Sequence, residues 1–139
     1  MSDIKRVIQI VVGVGEEIIR AGGEVSRAED SVTRICMALG MKRCDVFALN
    51  TYISVSIENV DGDSAVLSRR IKIRGTDLKR LEQLNELSRE LCDGRSDMEA
   101  AEKILYVSRG ENNSTFISPS IYLTWQTKSL QVSAFTYHL

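Results

Sequence analysis

Between residues 22 and 30 the chain reads Gly-Gly-Glu-Val-Ser-Arg-Ala-Glu-Asp, which sets three carboxylates, a guanidinium and a hydroxyl beside a glycine pair. Two chemistries fit this stretch. In the structural one, Gly22 and Gly23 take the positive φ that ends a helix. Ser26 and Glu29 then have the spacing of a capping box, in which each side chain accepts from the other's backbone N–H. In the functional one, Glu24, Arg27 and Glu29 line a polar pocket at the corner between two helices. Capping accounts for Ser26 and Glu29 but does not require Glu24 or Arg27. Catalysis by Glu24 and Glu29 as an acid–base pair needs one carboxyl raised by burial or like charge. Ser26 has no histidine or lysine base nearby in sequence, and the only histidine is His138.

A second set of candidates lies at residues 51–58, Thr-Tyr-Ile-Ser-Val-Ser-Ile-Glu. Alternation puts Ile53, Val55 and Ile57 on one side of a strand and Tyr52, Ser54, Ser56 and Glu58 on the other. The hydroxyl row is either a solvated sheet face or a face that meets a ligand, with Ser54 and Ser56 as its contact residues. Arg69 and Arg70 are adjacent on a third strand and must point to opposite faces, so at most one can serve a shared site. Gly13-x-Gly15 lacks the preceding strand and third glycine of a phosphate loop.

Composition narrows the function classes. A net charge of −1 over 139 residues carries no electrostatic footprint for nucleic acid. Cys36, Cys44 and Cys92 are odd in number, widely spaced and without a C-x-x-C pair, so neither a metal site nor a disulfide framework is expected, and no cofactor. Cys36 falls on an apolar helix face and reads as a core residue. The apolar run from Val7 to Gly15 is interrupted by Gln9 and followed by Glu16-Glu17, which a signal peptide does not match. No stretch reaches the roughly 18–20 apolar residues of a membrane helix. The chain reads as soluble and cytoplasmic.

These candidates need elements to position them. Residues 4–21 carry a broad apolar stripe, with Lys5, Arg6, Gln9, Glu16, Glu17 and Arg20 on much of the remaining surface. A second helix over Ala28–Leu39 buries Val32, Ile35, Cys36 and Leu39 and ends at Gly40. Strands follow at 43–50, 51–58 and 64–73, with Asp61-Gly62 as a hairpin signal. Thr76-Asp77 opens a helix to about Cys92, whose Leu78, Leu81, Leu84, Leu87 and Leu91 form one face. Ser96-x-x-Glu99 reads as a second capping box, opening a short helix to about Tyr106. The fold class is α+β: a helical pair, a three-stranded antiparallel meander and a long leucine-rich helix packed on the sheet.

Composition changes after Glu111. Residues 112–139 hold no acid, one basic residue (Lys128), the only proline (Pro119) and five of the eight aromatics. The expected organisation is a domain over 1–106 and an atypical aromatic, Ser/Thr-rich tail over 107–139. That tail is expected to be an added hairpin on the sheet, a disordered or partner-binding segment, or sequence foreign to the ancestral domain.

The order of these features resembles one family. Arg20-Ala21-Gly22-Gly23-Glu24-x-Ser26-Arg27-x-Glu29-Asp30 is followed by Thr33-Arg34-Ile35, Ala38-Leu39-Gly40 and Val46-Phe47. A Ser-x-Ser strand, Asp61-Gly62, Arg69-Arg70-Ile71 and Leu84-Asn85-x-Leu87-Ser88-Arg89 complete the set. Over residues 5–106 this is similar to the amino-terminal cytoplasmic domain of the bacterial threonine/serine exporter family. The resemblance implies an accessory domain of an inner-membrane exporter of threonine, serine or similar small metabolites. Its partner is then a transmembrane exporter subunit or domain, and a homo-oligomer is a further expectation. A hydrolase-like activity, suggested for such domains, maps to Glu24, Ser26, Arg27 and Glu29. Substrate contact maps to Glu24 and Arg27, together with Ser54 and Ser56. Where the family's first membrane span is expected, this sequence has its aromatic tail, so the expectation is a domain truncated before the span and unable to transport alone. The alternatives are a soluble binding module or a small hydrolase.

Overall fold

In a computed structural model, which describes residues 3–72 and 75–112, the chain is built around its first helix. Helix α1 (Asp3–Arg20) is buried almost all round: Val7, Ile8, Ile10, Val11, Val12, Val14, Ile18 and Ile19 are all withdrawn from solvent. Its polar side, carrying Lys5, Arg6, Gln9, Glu16, Glu17 and Arg20, is narrow, and the broad apolar remainder needs neighbours on several sides. They are α2 (Val25–Ala38), two strands of the sheet and α3 (Leu78–Asp93). Gly15 marks the closest approach. A Cβ there would lie 2.5 Å from Ile53 Cδ1 and 2.9 Å from Val32 Cγ2, so only glycine lets α1 sit this tightly between strand and helix.

The sheet is an antiparallel meander in the order β1-β2-β3, formed by Arg43–Leu49, Tyr52–Glu58 and Ser64–Arg70. The expected alternation is seen. Ile53, Val55 and Ile57 are buried toward the helices, while the alternate positions face outward. The register sets Phe47 opposite Ser54 and Ser54 opposite Ser68, and it sets Ser56 opposite Val66. In the β2–β3 turn, the Asn59 carboxamide oxygen accepts from the backbone N–H of Asp61 and Asp63, and Gly62 has positive φ. This is the turn that Asp61-Gly62 signals.

The leucine-bearing face of α3 meets α1 and α2, the layer that itself lies on the sheet. Leu84, Leu87 and Leu91 are buried there, whereas Leu78 is exposed. Among the described residues the fold is therefore α+β, with four helices and a three-stranded antiparallel sheet. Helix α4 (Met98–Asn112) extends beyond the expected end near Tyr106. Its cap is Asp97, whose carboxylate accepts from the Ala100 N–H, rather than Ser96. The chain divides into two compact units, residues 1–105 and 106–139. All elements up to Leu105 belong to the first, and the last turns of α4 belong to the second. The expectations for residues 113–139 lie outside the described residues.

Candidate functional site

The corner between α1 and α2 is shaped by backbone. Gly23 N–H donates to the Ile18 carbonyl and Gly22 N–H to that of Ile19, a Schellman termination with Gly22 at φ 92°. The segment entering α3 crosses the same corner: Gly75 N–H reaches the Arg20 carbonyl at 3.0 Å, and Asp77 N–H that of Ala21 at 2.9 Å. A Cβ on Gly22 would come within 2.8 Å of the Gly75 carbonyl oxygen. Both conformation and space thus require glycine at the first position of the pair.

The helix that follows begins earlier than its capping-box spacing implies. Glu24, extended at φ −70° and ψ 143°, is the N-cap of α2, and no side chain caps it. Its carbonyl already accepts from the N–H of Arg27 and Ala28. Ser26 is therefore inside the first turn and cannot fill the cap position, so the Ser26–Glu29 box does not form. The tight Schellman turn brings the chain into helical register within two residues, and backbone geometry overrides the side-chain preference.

Glu24, Ser26, Arg27 and Asp30 are exposed and Glu29 is half-buried. No hydrogen bond or ion pair joins the side chains of Glu24, Ser26, Arg27 or Glu29 to any described residue. Glu24 and Arg27 are three apart at the start of a helix, a spacing that sets them on neighbouring positions of one side. The arrangement presents a carboxylate and a guanidinium to solvent rather than enclosing them.

Ser54 and Ser56 stand on the opposite side of the sheet from the helices, away from this corner. Ser68 donates its hydroxyl to Ser54 at 2.9 Å, which ties β3 to β2 across that outer face. Around the serines the face is apolar. Phe47 is 57% and Val66 65% exposed, and Leu49 and Tyr52 extend the patch at one end of the sheet. Arg70 shares this face by register with Tyr52, while Arg69 turns to the helices, as adjacent strand positions must.

Sequence reasoning missed the charges that matter most to the interior. Glu16 and Glu17, assigned to the polar surface of α1, are both buried. Arg69 Nη1 of β3 lies 3.0 Å from Glu16 Oε2. Arg80 Nη2 of α3 lies 3.5 Å from Glu17 Oε2, and Arg20 Nη1 lies 3.4 Å from its other oxygen. The sequence carried no signal for this: Lys5, Arg6, Gln9, Glu16, Glu17 and Arg20 share one side of α1, so its pattern places both glutamates at the surface. Nearer the helix start, Arg6 reaches Glu102 of α4 at 2.6 Å. One helix thus carries ion pairs to β3, α3 and α4.

Among the described residues no helix is long and apolar enough to cross a membrane, and no group of three or more His, Cys, Asp or Glu is placed to hold a metal ion. No curated protein and no solved structure matches the chain. The ThrE family model, which describes a threonine/serine exporter, matches residues 9–114, from the second turn of α1 to beyond the end of α4. A match across three-quarters of the chain, covering every strand and the glycine corner, makes this chain a member of the threonine/serine exporter family.

Proposed function

We propose that this chain acts as the cytoplasmic domain of a bacterial inner-membrane exporter of threonine, serine or similar small metabolites, and that it cannot transport by itself. The observation that carries the reading is what folds within the family match. Within residues 9–105 the chain forms an α+β unit whose most apolar helix is enclosed by a sheet and other helices of the same chain. A solute path through hydrocarbon needs spanning helices or a closed barrel. Such a path is assigned here to a transmembrane exporter subunit or domain that works with this one.

Two surfaces suit that role. Glu24 and Arg27 at the head of α2 offer a carboxylate for the ammonium group and a guanidinium for the carboxylate of a zwitterionic amino acid. The outer sheet face, with Phe47 and Val66 at its centre, has the apolar middle and polar margin of a docking surface. The same face favours a second reading, a soluble interaction module that binds another partner through the sheet.

The test is threonine efflux from peptide-loaded cells that lack their own threonine exporters. The chain alone should leave efflux at background, and its co-expression with, or fusion to, the transmembrane half of a family member should raise it. Efflux from the chain alone, or none from the pair, overturns the proposal. Intact mass of the native product in membrane and soluble fractions separates the two readings, since the interaction module is expected in the soluble fraction at 15.5 kDa.

A further inference from the structure

We infer that one end of this domain is a contact surface for an anionic phospholipid leaflet, built from Leu49, Tyr52, Arg70, Lys72, Leu78 and Lys79. Backbone pairing brings these residues together from separate elements. The strand register sets Leu49 opposite Tyr52 and Tyr52 opposite Arg70, so the three form the last row of the outer sheet face. Ile71 N–H then donates to the Thr51 carbonyl at 2.8 Å, which ties the exit of β3 to the turn between β1 and β2. Only four peptide units separate Ile71 from Gly75, a span of at most about 14 Å. Gly75 is bonded to the Arg20 carbonyl at the end of α1, and α3 starts three residues further on. The β1–β2 turn, the exit of β3 and the start of α3 thus share one end of the fold.

Charge is polarised along the strands. Residues 46–57 and 64–76 contain no acid, so no strand residue offsets Arg70 and Lys72 at this end. Arg70, Lys72 and Lys79 are all exposed, whereas Arg69 and Arg80, their neighbours in sequence, turn inward to Glu16 and Glu17. The carboxylate of Asp77 is engaged in the cap of α3, where it accepts from the Arg80 N–H. Glu24 and Arg27, on the adjoining corner, offset one another in charge. At the opposite end of the sheet, Asp45, Glu58, Asp61 and Asp63 outnumber Lys42 and Arg43. An anionic surface attracts one end of such a domain and repels the other, and so orients it.

The uncharged members favour a lipid surface over an acidic protein. Leu49 is 50% and Leu78 71% exposed, and Tyr52 lies between Leu49 and Arg70. Tyrosine suits headgroup depth, where its ring meets apolar chains and its hydroxyl stays wet. Leucines flanked by Lys and Arg enter the acyl boundary while the cations remain with the phosphates. Each such cation is worth about fivefold in binding at an anionic leaflet. Three cations and two leucines make a reversible contact that sets orientation rather than an anchor. The same placement turns the Glu24–Arg27 corner toward the leaflet, because Gly22 packs on Gly75 at this end.

The contact needs no exporter subunit, so protein-free vesicles test it separately from transport. The experiment is co-sedimentation of the full chain with sucrose-loaded vesicles of phosphatidylcholine, with and without one-third phosphatidylglycerol. The expected result is binding to the anionic vesicles alone, lost at about 0.5 M salt, where the screening length falls below about 5 Å. R70Q/K72Q/K79Q should lower that binding about a hundredfold, and L49S/L78S several-fold. K42Q/R43Q, which removes the two cations of the opposite end, should leave it unchanged. All these positions are exposed, so the variants are expected to fold, and their thermal midpoints check this. Failure of the chain to bind anionic vesicles overturns the proposal and leaves the surface to an acidic protein. Full binding by R70Q/K72Q/K79Q, or an equal loss in K42Q/R43Q, overturns it as well, since attraction would then follow another part of the chain or net charge alone.

Discussion

Arg69 of β3 reaches back across the sheet-to-helix interface to Glu16 of α1, with Nη1 3.0 Å from Oε2 and both side chains largely out of solvent. Removing one member of such a pair strands the other charge, whereas replacing both with apolar groups of similar volume is often close to neutral. Arg69→Met alone and Glu16→Leu alone are each expected to destabilise by about 3 kcal/mol. The double variant should recover most of that loss. Urea unfolding of the four proteins checks this, and additive losses in the double variant would mean that the two residues act independently.

The helix starts give a sharper contrast. Asp77 caps α3, its carboxylate accepting from the Arg80 N–H at 3.0 Å, whereas Ser26 caps nothing. Asp77→Ala should therefore cost about 1 kcal/mol. Ser26→Ala should change stability by less than about 0.5 kcal/mol, as for a surface position without a special role. Thermal midpoints of the two variants, measured side by side, decide the matter. Equal losses would restore the capping role that the Ser-x-x-Glu spacing implies.

Gly13 and Gly15 lie two residues apart on the same helix and are expected to respond oppositely to alanine. Replacing a helical glycine contributes about 1 kcal/mol through propensity. At Gly13 the new Cβ would meet only Leu105 Cδ1, at 3.1 Å, the far end of a flexible side chain. Gly13→Ala should be neutral or slightly stabilising. At Gly15 it would be caught between Ile53 at 2.5 Å and the stiffer Val32 at 2.9 Å. Overpacking of about 1–3 kcal/mol should outweigh the propensity gain, so Gly15→Ala lowers the melting temperature. Pairing it with Ile53→Val should restore part of the loss.

These contrasts show what could be read from sequence and what could not. Periodicity settled the strands, because the alternation of Ile53, Val55 and Ile57 has one interpretation once turns bracket it. The leucine spacing of α3 and its stop at Gly94 were equally plain. Helix starts were not, because two Ser-x-x-Glu boxes fit the pattern while the chain used Glu24 and Asp97 at the caps. Side-chain preference at a cap is worth little beside a Schellman turn that dictates where the next helix begins. Glu16 and Glu17 were misplaced because a glutamate is read as solvent-facing unless its partner is known. Arg69 and Arg80 lie more than fifty residues further along the chain.

The outer sheet face yields the prediction closest to function. Phe47 and Val66 are more than half exposed, so little of their surface is lost from water when the domain folds. Their replacement by serine or threonine should change stability by no more than about 0.5 kcal/mol. If the face docks on the transmembrane part, however, the same side chains form the desolvated middle of an interface, where a few large apolar groups carry much of the affinity. F47S combined with V66T should then leave the thermal midpoint within error and lower efflux by the co-expressed pair several-fold. E24Q combined with R27Q should lower efflux without weakening co-purification of the two parts, because those residues sit on the other side of the sheet from the patch. Efflux untouched by F47S/V66T at normal expression would remove the sheet face from the transport assembly and leave it to a partner of the soluble kind.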